Sequence, residues 1–176
     1  FAEKIKMILV TGATGFIGRR LIGQLSKLKD KEEIICLVHE KSDSKLEKTG
    51  REIIKKYGLL FIPVDLLTGS GLDKAPKSPK VIFHLAAITD TAVNDHSIND
   101  VGTKNLLEAI GPLNKNTHFV YTSSIAISDN RQDYSVPVNE STLAPKRPCN
   151  EYGRKKLLTE QYLIQKSKEQ GFSLSI

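Results

Sequence analysis

Two groups of residues in this chain have the types and spacing to do chemistry. The first is Tyr152-Gly153-Arg154-Lys155-Lys156, a phenol and an amine four positions apart. On a helix that spacing puts both side chains on one face. A phenol with an ordinary pKa near ~10 is a weak base at neutral pH. A neighbouring ammonium favours the phenolate, so Lys156 would make Tyr152 usable as a general acid or base. Alone, this pattern is common on surface helices, and a second signal has to support it. The second group is Thr11-Gly12-Ala13-Thr14-Gly15-Phe16-Ile17-Gly18. Three glycines in a loop often mean only a turn. Here an apolar run, Ile8-Leu9-Val10, precedes them, and Phe16, Ile17, Leu21, Ile22 and Leu25 recur afterwards at helical spacing. The unit reads as strand, glycine turn, helix. Gly12 lets the chain turn tightly off the strand. Gly15 leaves the backbone open to a phosphate, and Gly18 lets the helix lie close to the strand. The helix start offers free N–H groups and a positive dipole end, which suit an anion such as a dinucleotide pyrophosphate.

The elements that must position these groups alternate along the chain. Ile34 to Val38 reads as a second buried strand and Lys45 to Tyr57 as a helix with Leu46, Ile53, Ile54 and Tyr57 on one face, ended by Gly58. Leu59 to Val64 is a third strand with Asp65 at its carboxyl end, and Val81 to Leu85 a fourth. A helical region carries Val101, Leu106, Leu107 and Ile110, and a fifth strand, Phe119 to Tyr121, closes on Thr122-Ser123-Ser124. A polar loop leads to a helix from about Glu151 to Gln170, then to a strand-like run that reaches Ile176. Strand–helix alternation predicts an α/β fold with a doubly wound parallel sheet of the Rossmann type, as one domain over residues 1–176. Ligands in such sheets bind beyond the carboxyl ends of the strands. Gly12, His39, Asp65, Ala86 and Ser124 should therefore converge.

Composition narrows the function classes. No apolar run approaches the ~20 residues of a membrane span, and the first residues carry no signal-peptide pattern. The net charge of +6 comes from 26 basic residues, spread along the chain, against 20 acidic ones. It suits phosphorylated ligands but shows no aromatic-flanked basic motif for nucleic acid. Cys36 lies in an apolar run and Cys149 in a loop, far apart. The expectation is a reducing, cytoplasmic protein without disulfides. His39, His84, His96 and His118 are scattered, so no metal site is expected.

The glycine loop, the Thr122-Ser123-Ser124 strand end and Tyr152-x-x-x-Lys156, in that order, resemble the extended short-chain dehydrogenase/reductase family, of NAD-dependent epimerase/dehydratase type. The resemblance covers nearly the whole chain. It implies Ser124, Tyr152 and Lys156 as catalytic residues, with Ser123 as the alternative hydroxyl. It also implies a cofactor site made of Gly12, Thr14, Gly15, Phe16, Ile17 and Gly18, with His39 and Glu40 after the second strand and Asp65 and Leu66 after the third. Leu85, Ala86 and Ala87 of the His84-Leu85-Ala86-Ala87 run, Asn99, Thr122, Tyr152 and Lys156 complete it. Asp65 can equally be a simple cap, Thr122 a buried hydroxyl bonded to backbone, and Asn105 an outward-facing helix residue. Pro137-Val138-Asn139-Glu140 resembles the family's loop before the catalytic helix.

The sequence also departs from the family. Ile125-Ala126-Ile127-Ser128 stands where most members carry Gly or Tyr-Gly, and no acid follows Ser124, which argues against dehydration. Glu40 favours NAD, while Lys41 and Lys45 could hold the 2′-phosphate of NADP. The resemblance implies NAD, a sugar-nucleotide substrate, epimerisation by transient oxidation of a sugar hydroxyl, and a homodimer. Alternatives are an NADPH-dependent aldehyde or ketone reductase of the same family and a non-catalytic dinucleotide-binding module. The family's C-terminal substrate-binding region has no counterpart in these residues, and the expectation is a partial chain.

Overall fold

A computed structural model describes residues 7–28, 33–39, 44–128, 148 and 150–176. Its strands are β1 (Ile8–Thr11), β2 (Ile34–His39), β3 (Leu60–Val64), β4 (Val81–His84), β5 (His118–Tyr121) and β6 (Ser173–Ser175). The helices are α1 (Phe16–Leu25), α2 (Lys45–Lys56), α3 (Val101–Ile110) and α4 (Glu151–Gln170). All the pairings are parallel, in the order β3-β2-β1-β4-β5-β6. This is the doubly wound Rossmann order, which reverses direction between β1 and β4 and opens a crevice at that point. The expected fold class is therefore observed.

Side chains alternate across each strand, so β1 feeds two cores. Ile8 and Val10 join Ile22, Ile34, Cys36, Val38 and Ile54 on the α1/α2 face. Leu9 joins Leu37, Ile82, Leu106, Ile110, Phe119 and Leu163 on the α3/α4 face. Burial pushes the Cys36 thiol up to about 12, so it serves as a packed apolar group. Helix ends follow local chemistry. Ser44 caps α2 by accepting the Glu47 N–H at 3.2 Å, and Asn150 caps α4 by accepting the Gly153 N–H at 2.8 Å. Gly171, with φ of 80°, ends α4 in the left-handed region.

Three helical assignments change. The spacing in α1 groups Phe16 and Ile17 with its apolar face, yet they are 67% and 54% exposed, since they precede the point where α1 meets the sheet. Leu46 is 49% exposed and faces a cavity at the start of α2 rather than the core. Asn105 is not outward-facing. Its Nδ2 donates to the Leu66 and Leu67 carbonyls, both at 2.9 Å, and so ties α3 to the loop after β3.

Candidate active site

A cavity of about 350 Å³ opens at the carboxyl ends of the strands, over the crevice beside β1. Gly12, Thr14 and Gly15 line it from the glycine loop, Leu37, Val38 and His39 from β2, and Leu46 and Glu47 from α2. Val64 follows from the end of β3, Leu66 from the turn after it, and Leu85, Ala86, Ala87, Ile88 and Ile98 from the segment after β4. The loop conformation requires its glycines. Gly12 has φ of 68°, and a Cβ there would stand 2.7 Å from the Ala86 nitrogen. A Cβ on Gly18 would stand 2.1 Å from the Gly12 oxygen, so α1 can approach β1 only without one. Gly15 caps α1 with no side-chain bond, and the first turn holds no acid. The first-turn N–H groups are thus available to an anion.

A buried polar chain holds the floor of this cavity. The Ala86 N–H donates to Thr11 Oγ1 at 3.2 Å. Thr11 Oγ1 and His84 Nδ1 are 2.7 Å apart, as are His84 Nε2 and Thr103 Oγ1. Thr103 donates onward to the Asn99 carbonyl at 3.3 Å. That direction assigns the ring proton of His84 to Nε2, with Nδ1 accepting from Thr11. Burial, reinforced by the Lys156 charge, pushes the His84 imidazole down to about 3, so it stays neutral. Asn99 does not line the cavity. Its Oδ1 accepts the Ile88 N–H at 2.8 Å and its Nδ2 donates to the Ile88 carbonyl at 2.9 Å, which fixes the segment after β4. Asp65 also stays outside the lining. Its Oδ1 accepts the Leu67 N–H at 2.9 Å and the Thr68 N–H at 3.2 Å, so it caps the turn after β3. Against the upward push of partial burial, those bonds hold its carboxyl below the ordinary range.

The second half of the site lies beyond the cavity, where β5 ends against α4. Ser124 Oγ accepts the Ala126 N–H at 3.2 Å, capping a short 3-10 turn, Ile125–Ile127, and its own O–H remains able to donate. Gly153 presses on that turn: a Cβ there would stand 2.3 Å from the Ala126 oxygen. This close approach sets the first two turns of α4, with Tyr152 and Lys156, beside the strand end that carries Ser124. Lys156 is buried and donates from Nζ to the Thr122 carbonyl at 2.7 Å. The backbone of Thr122, rather than its hydroxyl, is what this contact uses. The Lys156 Nζ also lies 4.6 Å from the Tyr121 ring centroid. Tyr152 is half-buried, with its ring 5.7 Å from that of His96.

Among the expected site residues, then, Gly12, Thr14, Gly15, His39, Leu66, Leu85, Ala86 and Ala87 meet in the cavity. Phe16, Ile17, Gly18, Asp65 and Asn99 flank or brace it, while Thr122, Ser124, Tyr152 and Lys156 form the neighbouring cluster. Glu40, Lys41, Cys149 and Pro137-Val138-Asn139-Glu140 lie outside the described residues. Among the described residues no group of His, Cys, Asp and Glu could hold a metal ion, and no helix is long and apolar enough to cross a membrane. Sequence reasoning missed Leu46 and Glu47. The available signal was their place in the first turn of α2, directly after a Ser cap and close to the end of β2.

The chain matches the NAD dependent epimerase/dehydratase family over residues 8–176. It belongs to that family. Among curated relatives is the UDP-glucose 4-epimerase of Mycoplasma genitalium, 27% identical over 164 residues, covering 89% of this chain and 46% of that protein. The UDP-glucuronic acid 4-epimerase of Bacillus cereus, in complex with UDP-glucuronic acid and NAD, has a similar structure. It is 26% identical with a TM-score of 0.75, over 96% of this chain and 55% of the other. The Thermus thermophilus UDP-glucose 4-epimerase complex with NAD gives 27% identity and a TM-score of 0.74, over 96% and 53%. This family member spans about half the length of the curated relatives it matches.

Gly153→Ala tests how the two halves of the site are joined. The Ala126 oxygen leaves no room for the methyl, so α4 has to shift off the turn after Ser124. Overpacking of this kind costs about 1–3 kcal/mol, more than the ~0.5–1 kcal/mol that alanine gains over glycine within a helix. Urea unfolding should show a lower midpoint with an unchanged slope. A midpoint at or above the wild-type value would show that the approach is not tight.

Proposed function

We propose that this family member is an NAD-dependent sugar-nucleotide epimerase in which Tyr152 exchanges a proton with a sugar hydroxyl. The observation that carries the reading is the buried Lys156, bonded to the Thr122 carbonyl one turn along α4 from Tyr152. A buried ammonium is costly, and a position four residues from a phenol beside a serine-bearing strand end gives it a use. The cavity fits a dinucleotide: glycine loop, uncapped α1 start, and a floor of Ala86 and Ala87 small enough to admit a flat ring. NAD, when bound, would take up a hydride from the sugar carbon and return it to the opposite face.

The chain's own residues do the rest. Gly12 and Gly15 leave room for the pyrophosphate, and the first-turn N–H groups of α1 bind it. Tyr152 receives the hydroxyl proton and later gives it back, Ser124 donates a hydrogen bond to the reacting oxygen, and Lys156 holds a ribose hydroxyl. Alignment of these groups supplies much of the acceleration. The UDP-hexose 4-epimerase activity of the relatives makes UDP-glucose and UDP-glucuronic acid the first substrates to try. The test is to incubate the protein with NAD and a panel of UDP-sugars and to follow inversion by proton NMR. Binding of NAD by the full-length protein without conversion of any sugar nucleotide would favour a non-catalytic dinucleotide module.

Lys156 also makes a pH prediction. Burial, opposed by the Glu160 charge, pushes its ammonium down to about 8. In the unfolded chain it titrates near ~10.4. Below pH 8 both states are protonated, and the fold bears the cost of burying the charge. From there to about 10.4 the unfolded chain binds more protons, so stability rises with pH. The full rise is about 3 kcal/mol. Lys156→Met should remove it and stabilise the fold at pH 7, while weakening NAD binding. Denaturant titrations of both proteins at pH 7 and 10 read this directly. Equal pH dependence in the two would show that Lys156 is not the group responsible.

A further inference from the structure

Helix α2 brings a carboxylate to the cavity in an unusual way. Gly50 lies inside α2, where glycine is disfavoured relative to alanine. A Cβ there would stand 2.5 Å from the Thr14 Cβ, so the glycine allows α2 to press on the phosphate loop. One turn earlier, Glu47 lines the cavity beside His39 and Thr14. Its Oε1 accepts the Thr14 hydroxyl at 2.8 Å. Its Oε2 is buried and has no hydrogen-bond partner among the described residues. Glu47 stands at the position from which a capping-box carboxylate reaches back to its own helix start, but here Oε1 is bonded to the phosphate loop instead. The first turn of a helix also favours negative charge at that place.

An acceptor oxygen left buried without a donor is costly and calls for an explanation. In this fold the adenosine ribose of a dinucleotide lies at the end of the second strand, which here is His39. We infer that Glu47 selects NAD over NADP, its Oε2 accepting a ribose hydroxyl of the adenosine and its charge repelling a 2′-phosphate. The acid is supplied by α2 across the phosphate loop. Thr14 holds the carboxylate by one oxygen, leaving the other for the ligand. This inference rests on the dinucleotide reading of the cavity.

The experiment is calorimetric titration of the full chain with NAD and with NADP, for wild type, E47Q and E47D. Wild type should bind NAD about tenfold or more tightly than NADP, because like charges brought together in a site repel. E47Q keeps the size and an acceptor for Thr14 but loses the charge. It should bind NADP more tightly and bring the ratio near one. E47D keeps the charge and should keep the preference for NAD. A role confined to bracing the loop would instead weaken both dinucleotides equally and leave the ratio unchanged in E47Q, which overturns the inference alone. Wild type binding NADP as tightly as NAD overturns it as well. Binding of neither dinucleotide by wild type would sink the cofactor reading of the cavity and this inference with it.

Discussion

Tyr152→Phe is expected to lower turnover by about 10²–10⁴-fold, the usual worth of general acid–base catalysis. That is roughly 3–5 kcal/mol of barrier. The substitution is conservative everywhere except at the reacting atom. The ring remains, and so does its contact with His96 at 5.7 Å. Lys156 keeps its bond to the Thr122 carbonyl, because that contact does not involve the phenol. NAD affinity should therefore stay within a few-fold of wild type while kcat falls. Steady-state kinetics on an accepted sugar nucleotide, with NAD binding measured alongside, separate the two effects. Retention of most activity by the variant would take Tyr152 out of the mechanism and leave family membership as the only link to epimerisation.

Gly15→Val should abolish measurable NAD binding while the protein stays folded. Gly15 has φ of -73° and ψ of 178°, extended backbone that a branched residue adopts readily. A Cβ there meets only the Gly12 oxygen, at 3.3 Å, so a shift of a few tenths of an ångström accommodates it. The remaining cost is replacement of a favourable capping residue, about 1 kcal/mol. The side chain would occupy space at the cavity wall that the pyrophosphate needs. Displacing that anion from two charge-assisted N–H bonds forfeits roughly 3–6 kcal/mol, or about 10²–10⁴-fold in affinity. Titration calorimetry with a thermal unfolding curve checks both parts. Wild-type affinity in a folded variant would refute the phosphate-loop assignment. The contrast with Gly18 is instructive: a Cβ at that position would lie 2.1 Å from backbone, so substitution there tests folding rather than binding.

Much of this molecule is legible in its sequence because the signals are local. Short apolar runs alternating with helical periodicity point to a parallel sheet, since parallel strands need long crossover connections and these are usually helices. The glycine loop is legible for the same reason: a left-handed residue at Gly12 and close approach at Gly18 follow from the strand–turn–helix unit itself. Tyr152 and Lys156 share a helical face by spacing alone. What sequence reading could not fix is which atoms each side chain meets once the chain is folded. Asp65 Oδ1 is taken by the Leu67 and Thr68 N–H groups of its own turn, the cap that the sequence also allowed, and the Asn99 side chain by the Ile88 backbone. Asn105 looks like an ordinary exposed helix position until α3 is laid against the loop after β3. Leu46 obeys the helical period but falls on the part of α2 that overhangs the cavity. Glu47 gives no sign in sequence of its bond to Thr14, 33 positions away, because only the approach of Gly50 to the loop brings them together. Local periodicity and backbone sterics are properties of neighbouring residues, and the sequence carries them. Which polar atoms are satisfied, and which are left for a ligand, depends on surfaces that meet only when the sheet is wound.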